Sequence, residues 1–128
     1  MAEWQKICLA IDIPMLGARR VARGQGIDVA LFRTDGDQVF ALLDRCPHKG
    51  GPLSQGIVFG SSVACPLHNW TISMDHGCAL APDVGSTQKF SVQVIAGAVY
   101  LDRIELSTLA LEPIAPMAGP SRRQTESA

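Results

Sequence analysis

The sequence lacks any apolar run that approaches the eighteen or so residues of a membrane span. Its longest apolar stretch, 92–101, is interrupted by Gln93 and Gly97. We also expect no signal peptide at the N-terminus, because Glu3 and Asp12 bracket a stretch that is too short for the apolar region of one. We therefore expect a soluble, cytoplasmic protein that has no membrane partner.

Neither sign of charge is in excess. The 11 lysines and arginines nearly cancel the 12 aspartates and glutamates, which leaves a formal net charge of -1. Because nucleic-acid binding usually needs a positive surface, we expect no nucleic-acid partner. The sequence also contains nothing that resembles a nucleotide-binding loop, a nucleophile triad or a pair of catalytic carboxylates. We expect no catalytic residues, and no chemistry on NAD(P)H, FAD or nitrite by this chain alone.

Cysteine is scarce, with four residues in the whole chain: Cys8, Cys46, Cys65 and Cys78. They are too few and too scattered for the disulfide framework of a small secreted domain, and in a cytosolic chain cysteine more often indicates metal or redox chemistry. We expect Cys8 and Cys78 to be small buried hydrophobic residues in strands. Cys46 and Cys65 differ from them because each has a histidine close by in the sequence.

Helical periodicity is nearly absent, and short strand-like runs separated by turn residues fill the first hundred positions. The 128 residues, 47% of them hydrophobic, are enough for one folded domain. The pattern predicts an all-β fold, an antiparallel β-sandwich or barrel, over residues 1–105. We expect a helical turn or two within 103–111, and a flexible or disordered extension over 106–128. The predicted strands are 4–9, 19–23, 27–33, 38–43, 62–64, 70–73, 89–95 and 98–102, with hairpin turns at Asp35-Gly36 and Ala96-Gly97.

Two segments carry the metal-binding chemistry. One reads Cys46-Pro47-His48 and the other Cys65-Pro66-Leu67-His68, so each presents one thiolate and one imidazole. A set of two cysteines and two histidines suits zinc or an iron-sulfur centre. Zinc fingers usually pair cysteine with cysteine and histidine with histidine. Mixed pairs instead suit a 2Fe-2S cluster held between two loops, with both cysteines on one iron and both histidines on the other.

Glycine and proline surround these candidate ligands, as expected for loops that wrap closely around a cluster. Gly50 and Gly51 follow the first pair, while Pro47, Pro52 and Pro66 stiffen the path of the chain. A structural zinc module stays open as a rival interpretation. We expect His76, in Met74-Asp75-His76-Gly77, to be a turn residue between two strands and not a ligand.

With these two loops, the sequence over 4–102 resembles the Rieske iron-sulfur domains. The resemblance implies a small antiparallel β-sandwich with a 2Fe-2S cluster at one end. It also implies that Cys46 and Cys65 bind the buried iron and that His48 and His68 bind the outer iron. Rieske proteins of respiratory complexes typically have an extra cysteine in each loop and a serine two residues after the second histidine. This chain has Gly51, Leu67 and Trp70 at those places, which implies a lower reduction potential.

The phrase Cys-Pro-Leu-His-Asn-Trp at 65–70 looks like the small subunit of NAD(P)H-dependent nitrite reductase. That resemblance implies a non-catalytic electron-transfer subunit in nitrate assimilation, whose partner is a large siroheme-flavoprotein that reduces nitrite to ammonium. The alternative is a soluble Rieske ferredoxin of an aromatic-ring dioxygenase, whose second loop usually continues as His-Gly and an aromatic residue. We expect Trp70 to shield the cluster from water. Candidate docking residues are Leu53, Ile57, Val58, Phe59, Trp70, Leu109, Leu111, Ile114 and Met117.

Overall fold

The computed structural model describes residues 2–23, 26–47, 51–66, 70–81 and 84–110. Within these ranges the regular secondary structure is mostly strand, with one short α-helix and two 3-10 helices. The strands are β1 (Trp4–Leu9), β2 (Gly17–Val21), β3 (Val29–Arg33), β4 (Val39–Leu43), β5 (Ile57–Phe59), β6 (Ser62–Ala64), β7 (Thr71–Ser73), β8 (Lys89–Phe90), β9 (Val92–Ile95) and β10 (Ala98–Asp102). The α-helix α1 is Arg103–Thr108, and the 3-10 helices are Ala10–Asp12 and Leu53–Gln55.

The strands form three antiparallel sheets. A central sheet has the order β2-β3-β4-β8, a second sheet has the order β1-β10-β9, and a third has the order β5-β6-β7. The chain passes from the central sheet to the second sheet between β8 and β9, since β8 pairs with β4 and β9 pairs with β10. The antiparallel β-sandwich predicted from the sequence is confirmed.

The central sheet is buried on both faces. Along β3, Ala30 and Phe32 point to one side while Val29 and Leu31 point to the other, and all four are buried. Sheets covered on both sides need apolar residues at consecutive positions, which explains the unbroken run Val-Ala-Leu-Phe. The side chains of this sheet therefore contribute to two separate cores.

One core, here called the cysteine core, lies between the central sheet and the sheet β5-β6-β7. Its buried members are Ala30, Phe32, Leu42, Cys46, Leu53, Val58, Val63, Cys65, Ile72 and Met74. The other, here called the second core, lies between the central sheet and the sheet β1-β10-β9. Its buried members are Cys8, Ile13, Val29, Leu31, Ala41, Leu43, Phe90, Val99 and Leu101. Each outer sheet thus packs on its own face of the central sheet.

The strand predictions are confirmed at 4–9, 62–64 and 98–102 and within two residues at several other ends. The single strand predicted over 89–95 is wrong, because Ser91 separates β8 from β9 where the chain changes sheets. The expected burial of alternate residues holds for Phe90 but not for Val94, which is exposed. Strand β5 was not predicted.

Helix α1 begins directly after β10. The carboxylate of Asp102 caps it by accepting the N–H of Ile104 (2.9 Å), and it also accepts the N–H of Glu3 (3.0 Å). The predicted helical turn within 103–111 is confirmed. Leu106, Leu109 and Ala110 pack against the second core, whereas 111–128 lies outside the described residues. The predicted boundary between the folded domain and the C-terminal extension, at residue 105, stays a prediction. None of the helices in the described ranges is long and apolar enough to cross a membrane.

Candidate metal centre

Two loops bring the cysteines of the sequence motifs into one core. Cys46 follows β4 after two residues, and Cys65 follows β6 directly. Because β4 and β6 lie on opposite sides of the cysteine core, the two loops meet at its end. The thiols are almost completely buried, with exposed fractions of 1% for Cys46 and 0% for Cys65. The fold therefore assembles the two predicted thiolate ligands from segments far apart in the sequence.

Each cysteine also closes its own loop through the backbone. The N–H of Cys46 donates to the carbonyl of Gly51 (2.8 Å), and the N–H of Cys65 donates to the carbonyl of Trp70 (2.7 Å). The predicted ligands His48 and His68 belong to the segments between these partners, and both lie outside the described residues. In both loops, therefore, a buried cysteine is hydrogen-bonded to a residue on the far side of the segment that contains the predicted histidine ligand.

The exit of the first loop packs tightly on the entry of the second. At Gly56, a Cβ atom would lie 2.1 Å from the carbonyl oxygen of Ala64, the residue that precedes Cys65. The next residue, Ile57, is paired with Ala64 in the sheet. Only glycine fits such an approach without movement of the backbone. This contact joins the two loops, and the sequence offers no local signal for it apart from the glycine itself.

A buried carboxylate connects the two ends of the first loop. Asp44 accepts two hydrogen bonds from Ser54: the N–H donates to Oδ1 (2.6 Å) and the hydroxyl donates to Oδ2 (2.8 Å). The guanidinium of Arg20, from β2, lies 3.7 Å from the same carboxylate. Sequence reasoning missed Asp44 and Ser54. Their one signal is that both are polar residues next to buried leucines, Leu43 and Leu53, at the two ends of a ligand loop.

Trp70 is half-buried and packs against the cysteine core beside the second loop. Its carbonyl is the acceptor that closes the turn at Cys65. The position suits the predicted role of its ring in excluding water from the ligand loops, and that role stays a prediction. Residue 70 thus contributes its side chain to the packing of the core and its backbone carbonyl to the hydrogen bond with Cys65.

The residues described at this end of the fold suit an iron-sulfur cluster. Thiolates are soft ligands that favour iron-sulfur centres and zinc, and two of them stand buried at the bases of adjoining loops. Where the structure describes the chain, no group of three or more His, Cys, Asp or Glu side chains is placed to hold a metal ion. The complete set of two thiolates and two imidazoles stays the ligand set that the sequence predicts.

The other two cysteines occupy different environments. Cys8 is buried in the second core, as predicted, and burial raises the pKa of its thiol, an effect that Arg19 opposes and Asp12 reinforces. The prediction that Cys78 is buried is wrong: it is exposed, and its sulfur donates to the carbonyl of His76 (3.7 Å). The structure contains no disulfide between Cys8 and Cys78. His76 lies in an exposed turn after β7, so its predicted turn position is confirmed.

The candidate docking residues occupy different environments. Leu53 and Val58 are buried in the cysteine core, so the expectation that they dock a partner is wrong. Ile57 and Phe59 are exposed, at 69% and 48%, on the outward face of β5. Leu109 packs against the second core and the half-buried Trp70 against the cysteine core, and the remaining three candidates, Leu111, Ile114 and Met117, lie outside the described residues. Exposed apolar side chains therefore occur on the sheet that leads to Cys65.

Comparison with known protein families identifies the domain. The family described as Rieske [2Fe-2S] domain matches residues 3–91, about seven-tenths of the chain. The chain belongs to the Rieske family. As a Rieske domain it carries a 2Fe-2S cluster, which confirms the cofactor predicted from the two loops and makes the zinc module wrong. Rieske proteins of this kind are electron-transfer components of oxidoreductases.

Two kinds of relative resemble this Rieske chain along most of its length. Ferredoxin CarAc of Metapseudomonas resinovorans is 34% identical over 99 residues, which are 77% of this chain and 92% of that protein. A ferredoxin solved in complex with the oxygenase of carbazole 1,9a-dioxygenase is 32% identical, with a TM-score of 0.69 over 78% of this chain and 93% of that one. A Mycobacterium tuberculosis protein described as an NADH-dependent nitrite reductase small subunit is 25% identical, with a TM-score of 0.71 over 80% of this chain and 96% of that one.

Proposed function

We propose that this Rieske protein is the electron-transfer small subunit of an NAD(P)H-dependent nitrite reductase. The observation that carries the proposal is the second ligand loop, Cys65-Pro66-Leu67-His68-Asn69-Trp70, whose tryptophan packs against the cysteine core. The structural similarity, over 80% of this chain, to a protein described as such a small subunit supports it. The subunit itself would be non-catalytic and would serve nitrite reduction to ammonium in nitrate assimilation.

The proposed ligands are Cys46 and Cys65 on one iron and His48 and His68 on the other. A bound 2Fe-2S cluster supplies one-electron transfer. The described residues bury the two thiols, fix each cysteine by a backbone hydrogen bond across its loop, and join the loops at Gly56. Burial of both thiols at this end of the molecule supports electron entry and exit there.

The proposed partner is a large siroheme-flavoprotein subunit in the cytoplasm. A permanent subunit contact is more apolar than a transient one. Ile57 and Phe59 give the outward face of β5 an apolar character, and β5 pairs with the strand that leads into Cys65. A partner seated there would lie beside the second ligand loop. These two side chains are therefore the proposed centre of the subunit contact.

A specific observation favours a second candidate, a soluble ferredoxin of an aromatic-ring dioxygenase. Ferredoxin CarAc shares a higher sequence identity with this chain than the nitrite reductase subunit does, 34% against 25%. A ferredoxin must dissociate from its reductase before it reaches the oxygenase, so its complexes should be small and transient. The two candidates therefore differ in the lifetime of the complex that the chain forms.

The deciding experiment is affinity purification of the tagged chain from its own cells, followed by size exclusion. We expect it to remain bound to a much larger siroheme-flavoprotein, and its deletion to impair growth on nitrite as the nitrogen source. Recovery without a large partner, together with efficient electron delivery to a ring-hydroxylating oxygenase, would favour the ferredoxin instead. Cell fractionation of the same strain checks the proposed cytoplasmic location.

The subunit contact is tested with Ile57→Ser and Phe59→Ser combined. We expect this variant to keep its cluster spectrum and to lose the large partner, because the substituted side chains face outward from β5. The matched control is Ile11→Ser, which changes another exposed isoleucine, in the 3-10 helix that follows β1. Loss of the partner from both variants, or from neither, would show that β5 is not the contact.

A further inference from the structure

A buried acidic side chain stands at the base of the first ligand loop without belonging to the proposed ligand set. Asp44 is 7% exposed, and both of its carboxylate oxygens accept hydrogen bonds from one residue, Ser54. An ionised carboxylate is costly to bury unless it is hydrogen-bonded. Its two short bonds to Ser54 therefore form a strong link between residues ten positions apart in the sequence.

The link encloses the turn that carries Cys46. Inside it, the N–H of Cys46 donates to Gly51, so one closure at 46–51 lies within a second closure at 44–54. The outer closure is itself anchored to the central sheet. The N–H of Asp44 donates to the carbonyl of Asp28 (2.9 Å), and Arg20 of β2 lies beside the carboxylate.

Core packing alone does not fix the two ends of the first ligand loop, Asp44 and Ser54, relative to each other. Leu53 is buried in the cysteine core, but an apolar contact does not fix direction as two hydrogen bonds to one planar carboxylate do. We propose that Asp44 and Ser54 are a positioning pair that holds the two ends of the first ligand loop together and thereby slows loss of the cluster. The inference rests on the proposed role of Cys46 as a ligand.

Asp102 provides a matched control. It is also a buried carboxylate, 8% exposed, and it also accepts two hydrogen bonds, from the N–H groups of Glu3 and Ile104. It lies at the end of β10, beside α1 and away from both ligand loops. Alanine at either position removes a buried carboxylate that accepts two hydrogen bonds, whereas only Asp44 belongs to the ligand-loop link. A general loss of stability would therefore affect the two variants alike.

The experiment measures cluster release from the purified full chain without oxygen, as loss of visible absorption in excess iron chelator. We expect Asp44→Ala to release the cluster about tenfold faster than Asp102→Ala, the size of effect that residues behind metal ligands commonly have. Equal rates for the two variants would overturn the positioning role. Wild-type protein without a 2Fe-2S cluster, or Cys46→Ala with an unchanged cluster spectrum, would overturn the proposed ligand set and this inference with it.

Two milder variants keep the test decisive should Asp44→Ala fail to fold. In Asp44→Asn, the amide oxygen can accept the N–H of Ser54 while the amide nitrogen donates to its hydroxyl, so both bonds persist. Ser54→Ala loses the hydroxyl bond but keeps the bond from its backbone. We expect faster release from Ser54→Ala than from Asp44→Asn, with wild-type absorption maxima in both. Release from Asp44→Asn that is as fast as, or faster than, release from Ser54→Ala would overturn the hydrogen-bonded link.

Discussion

Single residues control how the ligand loops meet, and Gly56 is the most restrictive of them. An alanine Cβ at this position would lie 2.1 Å from the carbonyl oxygen of Ala64, well inside van der Waals contact. We expect Gly56→Ala to displace β5 from β6, lower the free energy of unfolding by about 1–3 kcal/mol and reduce cluster content. Urea unfolding and iron analysis of the purified variant measure the two effects.

The control for this substitution is Gly36→Ala in the turn between β3 and β4. The nearest atom to its added Cβ would be Thr34 Oγ1 at 3.9 Å, an ordinary contact. The left-handed backbone conformation in that turn belongs to Asp37. We expect stability and cluster content close to wild type. A Gly56→Ala protein indistinguishable from Gly36→Ala would contradict the close approach of the two loops.

Cys8 provides a pH-dependent test at the same scale. Burial raises the pKa of its thiol, so the folded state favours the neutral form more than the unfolded state does. The neutral thiol therefore contributes to the free energy of unfolding. This contribution is complete below the unfolded thiol pKa of about 8.5 and is lost as pH rises through the higher folded pKa. We expect Cys8→Ala to lose less stability than wild type between neutral and alkaline pH in urea unfolding. Parallel curves for the two proteins would show that the thiol makes no such contribution.

At the scale of elements, the sequence predicts strands best where their partners lie nearby along the chain. The hairpin β9-β10 turns through Ala96 and Gly97, both at positive φ, as a tight hairpin turn requires. Strand β5 was missed because Ile57, Val58 and Phe59 are all apolar and show no alternation. The break at Ser91 depends on distant partners, since its N–H and hydroxyl both donate to Glu105 of α1 (2.7 and 2.8 Å).

Helix α1 depends on one arginine from the other side of the second core. Arg23 donates to the carbonyls of Leu106, Leu109 and Ala110 near the helix C-terminus, and its guanidinium lies 5.4 Å from the centroid of the Phe90 ring. We expect Arg23→Ala to lower the free energy of unfolding by about 2–3 kcal/mol, since three partly buried carbonyls lose a charged donor. Urea unfolding measures the change.

Arg19 is the matched control for Arg23, because it is an exposed arginine on β2. Surface substitutions of this kind usually change stability by no more than about 0.5 kcal/mol. Both variants should keep the visible spectrum of the cluster, since neither arginine belongs to the ligand loops. Equal stability of Arg23→Ala and Arg19→Ala would refute the contribution of Arg23 to α1.

At the scale of the whole molecule, the site is divided between what the sequence encodes locally and what only folding brings together. The proposed ligand pairs, Cys46 with His48 and Cys65 with His68, follow from the sequence alone, because each pair lies within one short motif. The link from Asp44 to Ser54 and the contact of Gly56 with Ala64 could not be predicted, because neither has a characteristic spacing. The burial of β3 on two faces likewise becomes clear only with both outer sheets in place.

The central claim is that Cys46, His48, Cys65 and His68 hold a 2Fe-2S cluster, and pulsed EPR of the reduced protein with 15N-labelled histidine tests it most directly. We expect about two irons and two sulfides per chain, and hyperfine coupling to two histidine nitrogens. Replacement of His48 or His68 should abolish or alter the signal, while His76→Ala should leave it unchanged. A cluster without histidine coupling, or one whose coupling is lost in His76→Ala, would contradict the proposed ligand set.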